Sequence, residues 1–254
     1  MKTIPSRILL SASLLLTSLS YAADKEPGAL LKVGEWRQDV GSYGVPKQFE
    51  HLVPAKWPRD QWYSLIIEEN VLHIEAQSPA DKNPEWLNKI VRQIPEENAP
   101  PASSSAEFTE QESDGILHLR VPGSPIKAGK HPLYVFKNGG HILNPELDYQ
   151  YRLKLNEVPF GMRIQNGLKG KNGAPYGEGA TYFIEYDGKQ FEYALGYYGW
   201  ASRIVGITDM DGDGFPDFII EIDGPNSTAV IVLMSSTAKP GKNTPTASLH
   251  SWGC

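Results

Sequence analysis

The densest chemistry in this 254-residue chain lies near its end, in the stretch TDMDGDGFPDFIIEIDG, residues 208–224. Counted from Asp209, four carboxylates fall at positions 1, 3, 5 and 9, namely Asp209, Asp211, Asp213 and Asp217, with Gly214 at position 6. Alternate side chains on such a loop converge on one point, and a glycine at the sixth position permits the sharp turn. The carbonyl of Phe215, at position 7, offers a further oxygen. Left without a counter-charge, each close carboxylate pair costs on the order of 3 kcal/mol at ~5 Å and an effective dielectric of about 20. A flexible, all-oxygen donor set suits calcium, with its about six to eight ligands, better than octahedral magnesium. One calcium ion is therefore expected, held by Asp209, Asp211, Asp213, the Phe215 carbonyl and Asp217.

The loop departs from the helix-loop-helix form. Position 12 is Ile220, where a bidentate glutamate would stand, and Glu221 is one step out of register. The flanks RIVGIT and FIIEI are rich in β-branched residues, so the loop is expected to join two strands. The pattern G-I-x-D-x-D-G-D-G-x-x-D-F followed by an apolar strand resembles the FG-GAP, or integrin-α-like, calcium repeats of β-propellers and related single-copy loops in exported bacterial proteins. The resemblance is confined to Arg203–Ile222 and a few flanking positions. It implies that Asp209, Asp211, Asp213 and Asp217 are ligands and that the loop links adjacent antiparallel strands. A propeller repeats its blade every roughly 40 to 60 residues. The sequence holds no second acidic loop, so neither a full propeller nor integrin-like adhesion is expected.

The elements that must position this loop read as mainly β, with a small α+β part. In QWYSLIIEENVLHIEAQ, two strand-like runs flank Glu69 and Asn70, a hairpin turn. In NPEWLNKIVRQIP, Asn83 is placed to cap a short helix and Pro84 to begin it. Trp86, Leu87, Ile90, Val91 and Ile94 share one face, and Pro95 ends the run. Residues 95–115 are rich in Pro, Ala, Ser and acids, too polar to repay the entropy of ordering, and read as a linker or exposed loop. The expected organisation is an N-terminal α+β region (23–94), this linker, and a sandwich-like C-terminal β domain (116–254) carrying the loop 209–217.

In that C-terminal part, hairpin turns are expected at Asn138-Gly139-Gly140, Asn156-Glu157 and Asp187-Gly188. Asp-Gly suits a two-residue turn with positive φ. It sets Ile184 against Phe191 and Tyr182 against Tyr193, giving a buried face of Tyr182, Ile184, Tyr186, Phe191, Tyr193 and Leu195. Thr181, Glu185, Gln190 and Glu192 then surround Phe183 on a wet face.

The chain begins with Lys2, Arg7, an apolar run from Ile8 to about Leu19, and small residues at Ser20 and Ala22. That is the form of a secretory signal peptide, 1–22, cleaved after Ala22 or Ala23, and it predicts a periplasmic or secreted protein that is not embedded in a membrane. Loss of Lys2 and Arg7 takes the net charge from −6 to −8, which disfavours nucleic acid and acidic lipid as partners and favours cations and basic protein surfaces. The single cysteine, Cys254, leaves no internal disulfide, so stability must come from the core or from a metal.

No G-x-S-x-G elbow or H-E-x-x-H pair occurs, and the six histidines never fall at zinc spacing; His73 and His118 read as polar residues on strand faces. The loop GYYGWASR places Tyr197, Tyr198 and Trp200 just before the strand that enters the acidic loop, as candidate recognition residues. Three functions fit, in this order. The first is an exported, non-catalytic, calcium-stabilised protein-binding module, an inhibitor or immunity-type protein acting on another exported protein. The second is a secreted hydrolase with a structural calcium, and the third a surface protein that binds polysaccharide through its aromatic loop.

Overall fold

The computed structural model describes residues 28–33, 49, 52, 54–93, 116–166, 180–195, 201–224 and 227–252. The expected leader, the stretch 95–115 and Tyr197, Tyr198 and Trp200 lie outside the described residues. Among the described residues three sheets and one α-helix make up the fold, which is mainly β and is neither a closed barrel nor a propeller. Among the described residues no helix is long and apolar enough to cross a membrane.

The first sheet contains β1 (Ala29–Lys32), β2 (Trp62–Glu68), β3 (Val71–Ala76), β4 (Leu117–Arg120) and β5 (Gly129–Pro132), in the order β1-β4-β2-β3-β5. The Glu69-Asn70 turn joins β2 to β3 in the expected register, Glu68 opposite Val71. Strands from both sides of residues 95–115 interleave here, so that stretch does not divide the sheets. The helix α1 (Glu85–Gln93) covers the outer face through the fully buried Leu87 and Ile90, packed with Ala29, Leu31, Trp57 and Trp62. The Asn83 side-chain oxygen accepts from Arg59, and the Pro84 carbonyl takes a hydrogen bond from Asn88 N in the first turn.

The second sheet runs β10-β11-β12-β14, where β10 is Ala201–Thr208, β11 Asp217–Gly224, β12 Ser227–Leu233 and β14 Ala247–Trp252. The third runs β13-β9-β8-β7-β6, from β6 (Gln150–Leu155), β7 (Val158–Asn166), β8 (Ala180–Tyr186), β9 (Lys189–Ala194) and β13 (Gly241–Asn243). The β8–β9 hairpin has the predicted register, with both turn residues at positive φ, Asp187 at 51° and Gly188 at 65°. Its predicted buried face is buried from Tyr182 through Leu195. The β6–β7 turn at Asn156-Glu157 also forms, with Leu155 opposite Val158. At Asn138–Gly140 the turn closes through Phe136 N to Gly140 O, but its arms do not pair with one another as an ordinary hairpin would. Tyr134 N instead reaches Ile207 O, and Leu143 pairs with Ile204 along the edge of β10.

The second sheet lies between the other two, and that explains its sequence. A strand covered on both faces reads as a continuous apolar run. In β11, Phe218, Ile220 and Ile222 pack into the cluster shared with the third sheet, while Ile219 packs toward the first. In β10 a register shift between Ile204 and Gly206 lets Ile204 and Ile207 face the third sheet together, although three positions separate them; Val205 faces the first. Each such side chain, fully buried, contributes about 1.5–3 kcal/mol of transfer free energy.

Candidate metal centre

The acidic loop is the connection between β10 and β11, closed where Thr208 pairs with Asp217. Two left-handed glycines make the turn, Gly212 at φ 75° and Gly214 at φ 88°. Asp209 organises it from within. One of its oxygens accepts from Gly212 N at 2.6 Å and Asp213 N at 3.1 Å, and the other from Gly214 N at 3.0 Å.

Asp217 is fully buried. Its Oδ2 accepts from Met210 N at 2.7 Å and its Oδ1 from Ser235 N at 2.8 Å and Ser235 Oγ at 3.0 Å. Asp211 is 2 % exposed; Oδ1 accepts from Asp213 N, but Oδ2 has no hydrogen-bond partner. Buried polar atoms are rarely left unpaired, and Asp211 Oδ2 is one that a cation could satisfy. One ligand oxygen from each of Asp209, Asp211 and Asp217 lies within 4.8 Å of the others.

Burial pushes the Asp217 carboxyl well above the usual range, helped by the charge of Asp211 and opposed by the Ser235 and Met210 hydrogen bonds. Burial raises Asp211 as well, aided by Asp213 and Asp209 and countered in part by the Ser236 side chain. A bound cation removes both penalties at once. The donors are all oxygen and two are deeply buried, which fits a hard divalent ion.

Of the residues expected to ligate, Asp209, Asp211 and Asp217 are brought together. Asp213 stands outside that trio, exposed, with Oδ1 accepting from Phe215 N at 2.8 Å and Oδ2 from Ser235 Oγ at 2.7 Å. Phe215 is placed by its ring, which stacks on Tyr186 of the third sheet. The sequence reading missed four neighbours. Lys127 N donates to Met210 O, and Lys127 Nζ reaches Gly212 O at 3.4 Å. The two ring nitrogens of His131 lie 2.8 Å from Asp209 O and 2.7 Å from Lys127 O. Ser235 and Ser236 approach from the end of β12.

The chain matches no protein-family model, and no curated protein or solved structure matches it. Elsewhere, Ser64 Oγ lies 3.2 Å from His118 Nδ1. His118 is 3 % exposed and its ring is stacked under Trp86 at 3.7 Å, so the imidazole is sealed from substrate.

Proposed function

We propose that this chain is an exported, non-catalytic binding module whose sheets are locked together by one calcium ion, and that its partner is another exported protein, in the manner of an inhibitor or immunity protein. The observation that carries the calcium part is the buried Asp211 Oδ2, which has no hydrogen-bond partner, in a residue whose carboxylate clusters with those of Asp209 and Asp217. The FG-GAP-like spacing supports the choice of ion, and Asp213 and the Phe215 carbonyl are the loop's remaining candidate ligands.

Two features support a protein partner. The mature chain is acidic, which favours a basic surface on the other side. Among the described residues the exposed large hydrophobics, Val135, Ile142, Leu147 and Tyr149, all fall on the single connection between β5 and β6, and apolar groups gathered on one surface segment mark contact sites.

The test is calcium calorimetry on the chain from Ala23 onward, followed by affinity capture from the exported proteins of the source organism with calcium and with chelator. A stoichiometric partner lost on chelation, and lost again when Val135 and Tyr149 are changed to serine, supports the proposal. Absence of a partner in both conditions removes it, and glycan binding or hydrolysis by a calcium-stabilised enzyme then takes its place.

A further inference from the structure

The acidic loop lacks the position-12 glutamate that closes a helix-loop-helix calcium site, since Ile220 occupies that position and is fully buried in the core. Something else must order the far side of the centre. The 3₁₀ turn Ser235–Thr237, directly after β12, stands there. Ser235 N donates to Asp217 Oδ1 at 2.8 Å. Its Oγ lies 3.0 Å from the same oxygen and 2.7 Å from Asp213 Oδ2. One residue thus holds two of the four loop carboxylates, and its hydroxyl, with a single proton, bridges them.

The turn is itself well fixed. Met234 N donates to Thr246 Oγ1 at 2.8 Å, Thr237 Oγ1 lies 2.8 Å from the same oxygen, and Thr237 Oγ1 also reaches Met234 O at 3.0 Å. Ser235 is therefore presented by the hydrogen-bonded end of β12, not by the loop.

Resting on the calcium reading above, we propose that Ser235 is a positioning residue of the metal centre: from outside the loop motif it fixes Asp217 and Asp213 for the ion, supplying order that the absent position-12 glutamate would otherwise give. Groups that orient metal ligands in this way affect affinity nearly as strongly as ligands do, typically by about 10- to 100-fold.

The experiment is calcium calorimetry on the mature wild type, Ser235→Ala and Ser235→Thr, with thermal melts of each in chelator. Alanine keeps the backbone N–H and removes only the hydroxyl. The expected result is an affinity about 10- to 100-fold weaker for Ser235→Ala, recovery to within a few-fold of wild type for Ser235→Thr, and a chelator melt that falls by clearly less than the calcium melt. Wild-type affinity in Ser235→Ala overturns the proposal. So does a chelator melt that falls as far as the calcium melt, because the hydroxyl would then serve the fold alone. A wild type that binds no calcium is a separate outcome, which sinks the calcium reading itself.

Discussion

Phe215, at the seventh position of the acidic loop, stacks on Tyr186 of the third sheet with ring centroids 4.8 Å apart and planes inclined at 29°. On its other side the loop is tied to the first sheet, through Lys127 N to Met210 O and the His131 ring to Asp209 O. The loop itself continues β10 and β11 of the second sheet. An ion that ordered the loop would therefore act on all three layers. The Tyr186 hydroxyl registers this proximity: burial raises its pKa, Tyr193 adds to the rise, and the charges of Asp213, Asp217 and Asp211 add further.

Chelation is accordingly expected to lower one cooperative transition and not to melt a C-terminal part alone. At a hundred times its dissociation constant an ion stabilises by about 2.7 kcal/mol, or roughly 5–10 °C in a domain of this size. Three of the six tryptophans, Trp57, Trp62 and Trp86, lie in the cluster of the first sheet and α1, so fluorescence is weighted toward that sheet, and far-UV circular dichroism reports all three sheets. Coincident shifts in the two signals are expected; a fluorescence transition indifferent to chelator would confine the ion's effect to the loop.

Phe215→Ala separates the ring from the ion. It removes the stack on Tyr186 and the packing against the core cluster of the second and third sheets, so stability in calcium should fall by about 2 kcal/mol in urea unfolding. Calcium affinity should change little, because alanine leaves the Phe215 carbonyl and the three clustered carboxylates in place. A loss of affinity comparable to that of Asp211→Ala would show that the ring, and not only the backbone, shapes the site.

Local chemistry made some of these elements legible and hid others. The turns at Glu69-Asn70, Asn156-Glu157 and Asp187-Gly188 were readable because alternating apolar residues run up to residues that tolerate positive φ. The triad was readable because its spacing is local. Sheet membership was not, since β5 is Gly-Lys-His-Pro, with no buried residue to mark it as a strand. Its place beside β3 is fixed by pairing across more than fifty residues. Ser235 was hidden for the same reason: it lies 18 residues beyond Asp217 in sequence and meets it only because β12 returns alongside β11.

His118 gives the fold a titration in the mildly acidic range. It is buried between β4 and α1, with Nδ1 at Ser64 and Nε2 without a partner, and burial lowers its pKa from 6.5 to about 4. The folded state therefore binds this proton less readily than the unfolded one, so the contribution is intact above pH 6.5 and is lost as pH falls toward 4. Between pH 7 and pH 5 the loss is about 2 kcal/mol. The rise in the Asp217 and Asp211 pKa values acts in the opposite sense, so the comparison must be with a variant. His118→Phe retains an aromatic ring for Trp86 and removes the titration. The wild type should lose about 2 kcal/mol more than His118→Phe between those pH values in chelator; equal losses would mean that the ring reaches water when folded.

Gly28, just before β1, lies against the main chain of Thr246, just before β14. A β-carbon there would lie 2.3 Å from the Thr246 carbonyl oxygen and 3.2 Å from that of Arg120. Both obstacles are main chain, and neither can rotate away as a side-chain tip would. The φ of Gly28 is not in the left-handed region, so space alone is at issue. Gly28→Ala should therefore cost about 1–3 kcal/mol, as overpacking does, and part the two sheets beside Thr246, whose hydroxyl holds Met234 next to Ser235. Gly140→Ala is the control, because its nearest obstacle is the Asn138 side chain at 3.8 Å, an ordinary contact. Urea unfolding should place the control within about 0.5 kcal/mol of wild type and Gly28→Ala well below it. Calcium affinity should fall in Gly28→Ala but not in Gly140→Ala, since only the first displaces the strand end that presents Ser235.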